Sequence, residues 1–151
     1  MMTIPENAER DIARVLREQG YKATPQRITI SKYALNTDQH PTADRIYRET
    51  LKTHPTVSLA TVYTTLKILK EIGLVQELNM PQQQNRFDPN LSPHAHLICL
   101  QCGEVSDWMD PLIPELVDRI SSDTGSMVSG SSLNVNIVCR KCQFNVKTEA
   151  K

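Results

Sequence analysis

The order of apolar and polar positions divides the chain into a helical first half and a strand-rich second half. Over residues 6–19, Ala8, Ile12, Val15 and Leu16 fall on one helical face, and Gly20 stops the helix. Thr24-Pro25 joins an N-cap to proline at the first helical position and predicts a helix through about Leu35. Thr42 caps a third helix carrying Ile46, Tyr47 and Leu51, which ends near Thr53-His54-Pro55. Ser58 caps a fourth, in which Leu59, Val62, Leu66, Leu69 and Ile72 recur at helical spacing before Gly73. Two short apolar segments follow, 74–78 and 85–88, separated by the polar stretch Met80-Pro-Gln-Gln-Gln84, and together they predict a hairpin. Helices followed by a small hairpin outline a winged helix-turn-helix.

The linker Pro89-Asn-Leu-Ser-Pro93 leads into different material. Segments 94–100 and 105–109 read as strands, 111–122 as a helix, and 121–132 as a flexible Ser/Gly stretch. Residues 133–139 alternate apolar and polar nearly to their end. The expected fold class is α+β, with three parts: a winged helix-turn-helix domain at 1–88, a hinge at 89–93, and a small α/β domain at 94–151. The last part is short for an independent core, so metal binding and dimerisation are expected to supply what it lacks.

Charge refines this division. The 17 basic residues balance the 17 acidic ones, which argues against a polybasic nucleic-acid coat or a membrane-surface binder but not against a compact DNA reader. Residues 1–85 hold 11 Lys and Arg against 9 Asp and Glu, while 86–151 hold 6 against 8, so the first half is the better anion-facing one. The N-terminal stretch has dispersed charges and no apolar run, and no stretch is long and apolar enough to span a bilayer. A cytoplasmic protein with no membrane partner is therefore expected. In that compartment thiols stay reduced, and paired cysteines favour metal over disulfide.

The four cysteines form two pairs, Cys99-x-x-Cys102 and Cys139-x-x-Cys142. Two such turns can close a tetrahedral Cys₄ zinc site, leaving no thiol for catalysis. His94-Ala-His96 on a strand would direct both imidazoles to one face. Asp88, Asp107 and the distant His40 complete three imidazoles and two carboxylates, a donor set suited to Fe²⁺ or Mn²⁺ and able to take Zn²⁺. Singly, each has a plainer role: His40 could cap a helix, Asp107 could pair with a lysine, and Asp88 could end a turn. On the fourth helix, Ala60, Thr61, Tyr63, Thr64, Lys67 and Lys70 lie opposite the apolar stripe. Such groups suit a major groove, although the polar face of an amphipathic helix is usually just solvated. Lys22 could reach a DNA backbone or minor groove.

The stretches His40-Pro-Thr-Ala-Asp44-Arg-Ile-Tyr47, Ser58-Leu-Ala-Thr-Val-Tyr63 and Arg86-Phe-Asp88 resemble the ferric uptake regulator family. So do His94-Ala-His-Leu-Ile-Cys99-Leu-Gln-Cys102-Gly and Cys139-Arg-Lys-Cys142. The resemblance covers nearly the whole chain. It implies a homodimeric repressor that binds a palindromic double-stranded DNA operator, with an N-terminal DNA-binding domain and a C-terminal dimerisation domain. It implies structural Zn²⁺ at the four cysteines and regulatory Fe²⁺ or Mn²⁺ at His40, Asp88, His94, His96 and Asp107. Aspartate at both 88 and 107 is similar to the peroxide-responsive members, in which ferrous iron reacts with hydrogen peroxide and an imidazole ligand is oxidised. The matching rings are His40 and His94. Tyr63 and Lys22 match DNA-contact positions, and Ser58, Thr61, Thr64 and Lys67 share the reading surface. Thr64 stands where relatives often carry Arg or Asn, so the operator sequence does not transfer. Gly130, Ser131 and Asn134 replace histidines and a glutamate common in relatives, so the resemblance gives no support to a further metal site there.

Other readings are an iron- or manganese-responsive repressor without histidine oxidation, and a zinc-uptake regulator, disfavoured because no thiolate remains for sensing. A non-haem iron oxygenase could use two His and a carboxylate, but the chain has too few strands for a shielded pocket. A zinc deaminase would need His-x-Glu, which His94-x-His96 lacks.

Overall fold

A computed structural model describes residues 8–149 except 38 and 82. The first two positions of the expected opening helix, 6 and 7, lie outside the described residues, as does one residue of the polar stretch before the second hairpin strand. The chain folds as two compact units, Met1–Leu91 and Ser92–Lys151.

The first unit contains α1 (Ala8–Glu18), α2 (Pro25–Leu35), α3 (Ala43–Leu51), α4 (Leu59–Glu71), β1 (Gln76–Leu78) and β2 (Arg86–Asp88). Three of the helices begin where their caps dictate. The hydroxyls of Thr24, Thr42 and Ser58 accept from the backbone N–H of Arg27, Arg45 and Thr61, each satisfying one otherwise unpaired donor of a first turn. The helices then pack through their apolar stripes. Ile30 and Ala34 of α2, Ala43 and Ile46 of α3, and Val62, Leu66 and Leu69 of α4 form one core with Val57, Val75 and Phe87. Ile12 and Leu16 fix α1 against Ile68. The hairpin pairs Gln76 with Asp88, Glu77 with Phe87 and Leu78 with Arg86. Alternation sends Phe87 into the core and leaves Arg86 and Asp88 on the other face. This unit is a winged helix-turn-helix. Its hairpin is extended by a connection the apolar pattern does not reveal: Thr42 bridges Arg86, and Phe87 N–H donates to the Pro41 carbonyl at 3.0 Å.

The second unit contains β3 (Ala95–Cys99), β4 (Val105–Trp108), α5 (Leu112–Thr124), β5 (Leu133–Ile137) and α6 (Arg140–Glu149). Its sheet has the order β4-β3-β5, with β3 antiparallel to β4 and parallel to β5. Helix α5 runs two residues beyond the expected 122 and stops at Gly125, whose φ of 66° is the left-handed cap that glycine adopts without strain. Helix α6 is not announced by the apolar pattern; it follows directly on Cys139 and carries Cys142 in its first turn. Leu112, Leu116 and Ile120 form an exposed stripe along α5, and Leu133 and Val135 are exposed on β5.

Candidate metal centres and nucleic-acid interface

The four cysteines converge within the second unit. Cys99 ends β3, Cys102 follows a tight turn in which Gly103 N–H donates to the Cys99 carbonyl, and Cys139 and Cys142 lie where β5 passes into α6. Gly103 sits at φ 71°, which a side chain would oppose. The Sγ atoms of Cys99 and Cys142 are 3.8 Å apart, as are those of Cys102 and Cys139. Thiolates about 2.3 Å from a zinc ion at the tetrahedral angle stand about 3.8 Å apart, so the cluster has the edges of a ZnS₄ site. Backbone N–H groups of Cys102 and Cys139 point at the Cys99 sulfur and hold its thiol down at about 6. The Cys139 thiol and burial push Cys142 up to about 12. Four sulfurs this close resist ionising together, a conflict that a divalent cation resolves.

The nitrogen and oxygen donors fall into two sets, one in each unit. In the first unit, His40 precedes α3 and Asp88 ends β2; both are buried, with His40 Nε2 3.8 Å from Asp88 Oδ2. Two ligands at about 2.1 Å from one ion can be at most about 4.2 Å apart, so this pair can share a cation. His40 has φ 46°, the sole non-glycine residue at positive φ among the described residues. Such a conformation costs energy and persists where surrounding contacts fix it. Here Arg86 Nη1 donates to the His40 carbonyl at 3.1 Å, one residue before the backbone joins β2. Asp88 is gripped at both oxygens. Oδ1 accepts the Asn90 N–H at 2.8 Å in a short Asx turn, and Oδ2 accepts the Gln76 amide at 3.1 Å.

In the second unit, His94 and His96 point to one face of the sheet beside Asp107, which pairs with His96 across β3 and β4. The two Nε2 atoms are 2.9 Å apart, and Asp107 Oδ1 lies 3.2 Å from His94 Nε2 and 3.7 Å from His96 Nε2. Ligands about 2.1 Å from one ion are separated by about 3.0 Å at a right angle and about 3.4 Å at the tetrahedral angle, a range these three edges bracket. The tautomer of His94 is set by its neighbour. The Ser92 carbonyl, which can only accept, lies 2.6 Å from Nδ1, so Nδ1 carries the proton and Nε2 keeps its lone pair for a ligand role.

Sequence reasoning selects the donors and misses the groups that aim them. Gln76 holds Asp88 across the hairpin, Arg86 holds the His40 carbonyl, Ser92 holds His94 through its own carbonyl, and the Asn90 N–H holds Asp88 in a turn. Only Asp88-Pro-Asn90, a turn-forming tripeptide, leaves a local signal.

On α4, Tyr63, Thr64 and Lys67 are exposed, and Lys67 lies 3.9 Å from Glu71. The Thr61 hydroxyl shares a 2.9 Å hydrogen bond with the capping Ser58. Lys70, on the same polar face, donates to Glu77 of β1 at 2.7 Å and so braces the wing to the helix. Lys22 is exposed, and its carbonyl accepts from Arg27.

Comparisons agree with this architecture. The sequence model of the Ferric uptake regulator family matches residues 18–136. The "Peroxide-responsive repressor PerR" of Staphylococcus aureus (strain USA300) is 37% identical over 141 residues, 93% of this chain and 95% of that protein. The Campylobacter jejuni peroxide stress regulator superposes with a TM-score of 0.71 at 34% identity, over 87% of this chain and 98% of that one. The ferric uptake regulator of Pseudomonas aeruginosa with manganese gives a TM-score of 0.73 at 27% identity, over 85% and 98%. The chain, with its winged helix-turn-helix and its Cys₄ cluster, belongs to the ferric uptake regulator family.

Proposed function

We propose that this chain is a metal-dependent, DNA-binding transcriptional repressor that senses hydrogen peroxide. The observation that carries the reading is a cluster of metal-type donors within each unit. His94, His96 and Asp107 supply three ligands, half of an octahedral shell, and His40 and Asp88 supply two more from the winged helix-turn-helix unit. In this reading all five residues hold one regulatory Fe²⁺ or Mn²⁺, and the four cysteines hold Zn²⁺. Supporting the sensory role is the likeness to the Staphylococcus aureus peroxide-responsive repressor. Bound Fe²⁺ would supply one-electron reduction of hydrogen peroxide beside the ligands. His40 and His94 are the rings assigned to take up oxygen, and a modified ring no longer donates as before. Because ligands from both units serve one ion, loss of either ring releases the winged unit from its DNA-competent placement.

The unit at 1–88 is assigned to DNA, with Ser58, Thr61, Tyr63, Thr64 and Lys67 on the reading surface and Lys22 towards the backbone. Residues 94–151 are assigned to a homodimer, for which the exposed apolar rows of α5 and β5 are the natural face. A two-fold dimer reads a palindromic operator. Among the described residues no helix is long and apolar enough to cross a membrane. The family is one of transcriptional regulators, and we place this member in the cytoplasm with the DNA it binds and assign it no catalytic turnover.

The test combines binding and mass. Operator affinity should rise with Mn²⁺ or Fe²⁺, and Asp107→Ala should abolish that rise while leaving a zinc-loaded dimer. Dilute peroxide should add one oxygen to His40 or His94 in the Fe²⁺ form and none in the Mn²⁺ form. Metal-dependent binding that peroxide abolishes without modifying either ring would favour an iron- or manganese-responsive repressor without histidine oxidation.

A further inference from the structure

We propose that Gln76 is a positioning residue for the regulatory ion, setting the orientation and donor strength of Asp88. The inference rests on the reading of Asp88 as a ligand, and every contact it uses lies within the first unit. Gln76 opens β1 directly across the ladder from Asp88. Its side-chain nitrogen donates to Asp88 Oδ2 at 3.1 Å and to the Asn90 carbonyl at 2.7 Å. The two hydrogens of one amide thus tie the carboxylate to the turn that follows it. Asn90 closes the loop by donating its own N–H to Oδ1 at 2.8 Å.

Two consequences follow from this geometry. First, the carboxylate cannot rotate without breaking two hydrogen bonds, so Oδ2, the oxygen nearest His40 Nε2, is fixed beside that ring. A ligand held in place loses less freedom when a cation arrives. Second, the amide is a neutral donor. It draws charge from Oδ2 less than a cationic partner would, and it leaves the oxygen a lone pair for the metal. A half-buried glutamine whose donors are both spent on a carboxylate and its turn is a tuning group for that carboxylate.

The experiment uses the full chain with Zn²⁺ retained and titrates Mn²⁺ into it, reading free Mn²⁺ by electron paramagnetic resonance, without DNA. Gln76→Leu keeps the bulk and removes the donor; Gln76→Ala removes both. Both should weaken Mn²⁺ binding about tenfold or more, the usual effect of removing a group that orients a ligand. Both should keep the zinc content and the manganese-free thermal melt of the parent. With Co²⁺ as a spectroscopic probe at the same centre, the visible absorption bands should shift, a change that a purely structural role for Gln76 would not produce. Asp88→Ala is run alongside. Should it bind Mn²⁺ as tightly as the parent, the assignment of Asp88 as a ligand falls. Should it lose Mn²⁺ while both Gln76 variants bind normally with an unchanged Co²⁺ spectrum, Asp88 stands and the role of Gln76 is overturned. Loss of the cooperative melt in both Gln76 variants would also overturn it, by assigning the residue to the fold.

Discussion

Removing one zinc ligand should unfold the second unit and leave the first standing. The perturbation is Cys142→Ser, at a buried position on the first turn of α6. Among the described residues of 92–151, the buried apolar side chains are Ala95, Ile98 and Ile113, together with Cys99 and Cys142 themselves. Burying an isoleucine contributes about 1.5–3 kcal/mol, so the two isoleucines give about 3–6 kcal/mol. A structural zinc site binds with about 10–16 kcal/mol of apparent free energy, all of it linked to folding when the site forms only in the folded chain. The metal therefore outweighs the buried isoleucines about two- to fivefold. The variant should lose stoichiometric zinc, measured by chromogenic release, and run as a monomer by native mass spectrometry, since the α5 and β5 face needs an ordered sheet beneath it. Far-UV circular dichroism should keep the signal of α1–α4, whose core contains no cysteine. A Cys142→Ser protein that binds no zinc yet remains a dimer with the parent's melting transition would refute the reasoning.

Other consequences can be measured in the first unit. Leu66, 1% exposed at the centre of the helical core, should cost about 2–5 kcal/mol on change to alanine, read by urea unfolding. Ser58→Ala removes the α4 cap and should cost about 1 kcal/mol, with operator affinity falling because Thr61 loses its hydroxyl partner as well. The Lys70 ammonium, and after it the Asn85 amide, hold the Glu77 carboxyl below its ordinary 4.5. That contribution is present above the unfolded-state pKa and is lost as pH falls through the lower folded value. Glu77→Gln should therefore flatten the decline in melting temperature between about pH 5 and pH 3, and an unchanged slope would dismiss the brace. Operator affinity should fall steeply with added salt, about 0.9 decades per decade of salt for each phosphate neutralised, and Lys22→Ala should lower that slope by about one phosphate.

The first unit is legible because each of its signals is local. Caps at Thr24, Thr42 and Ser58 and stops at Gly20 and Gly73 need only their immediate neighbours, and the structure places helices between them. The cysteine pairs are legible for the same reason, since two-residue spacing is a turn geometry. Helix α6 is not, because its residues are mostly polar and it starts directly after Cys139, whose N–H is held by the Cys99 sulfur. The strand-like character of Pro41 and Thr42 is hidden as well. A proline and a helix cap give no alternation to read, and the pairing arises only because β2 passes alongside. Donor types can be chosen by chemistry, whereas Gln76 and Arg86 reach Asp88 and His40 across strand pairings that no short window contains.

That hidden pairing links His40 to the helical core inside a single unit. His40 is held at φ 46° with its carbonyl on Arg86, the next carbonyl takes the Phe87 N–H, and the residue after that caps α3. Phe87 in turn packs in the core shared by α3 and α4. A perturbation at the His40 backbone therefore bears on the cap of α3 and on β2, whose Phe87 enters the helical core. Loosening those backbone contacts would let His40 relax towards negative φ, moving Arg86, Phe87 and Thr42 together. Under the proposed ligand role of His40, this strained position and its short backbone path to α3 would give the metal state leverage over DNA binding. Replacing the histidine by glycine would remove ligand and strain alike, whereas His40→Asn removes the imidazole and tolerates the left-handed backbone. If the strain transmits the signal, His40→Gly should loosen amide protection at the start of α3 more than His40→Asn does, by hydrogen exchange. Equal protection in the two variants would confine the switch to ligand loss alone.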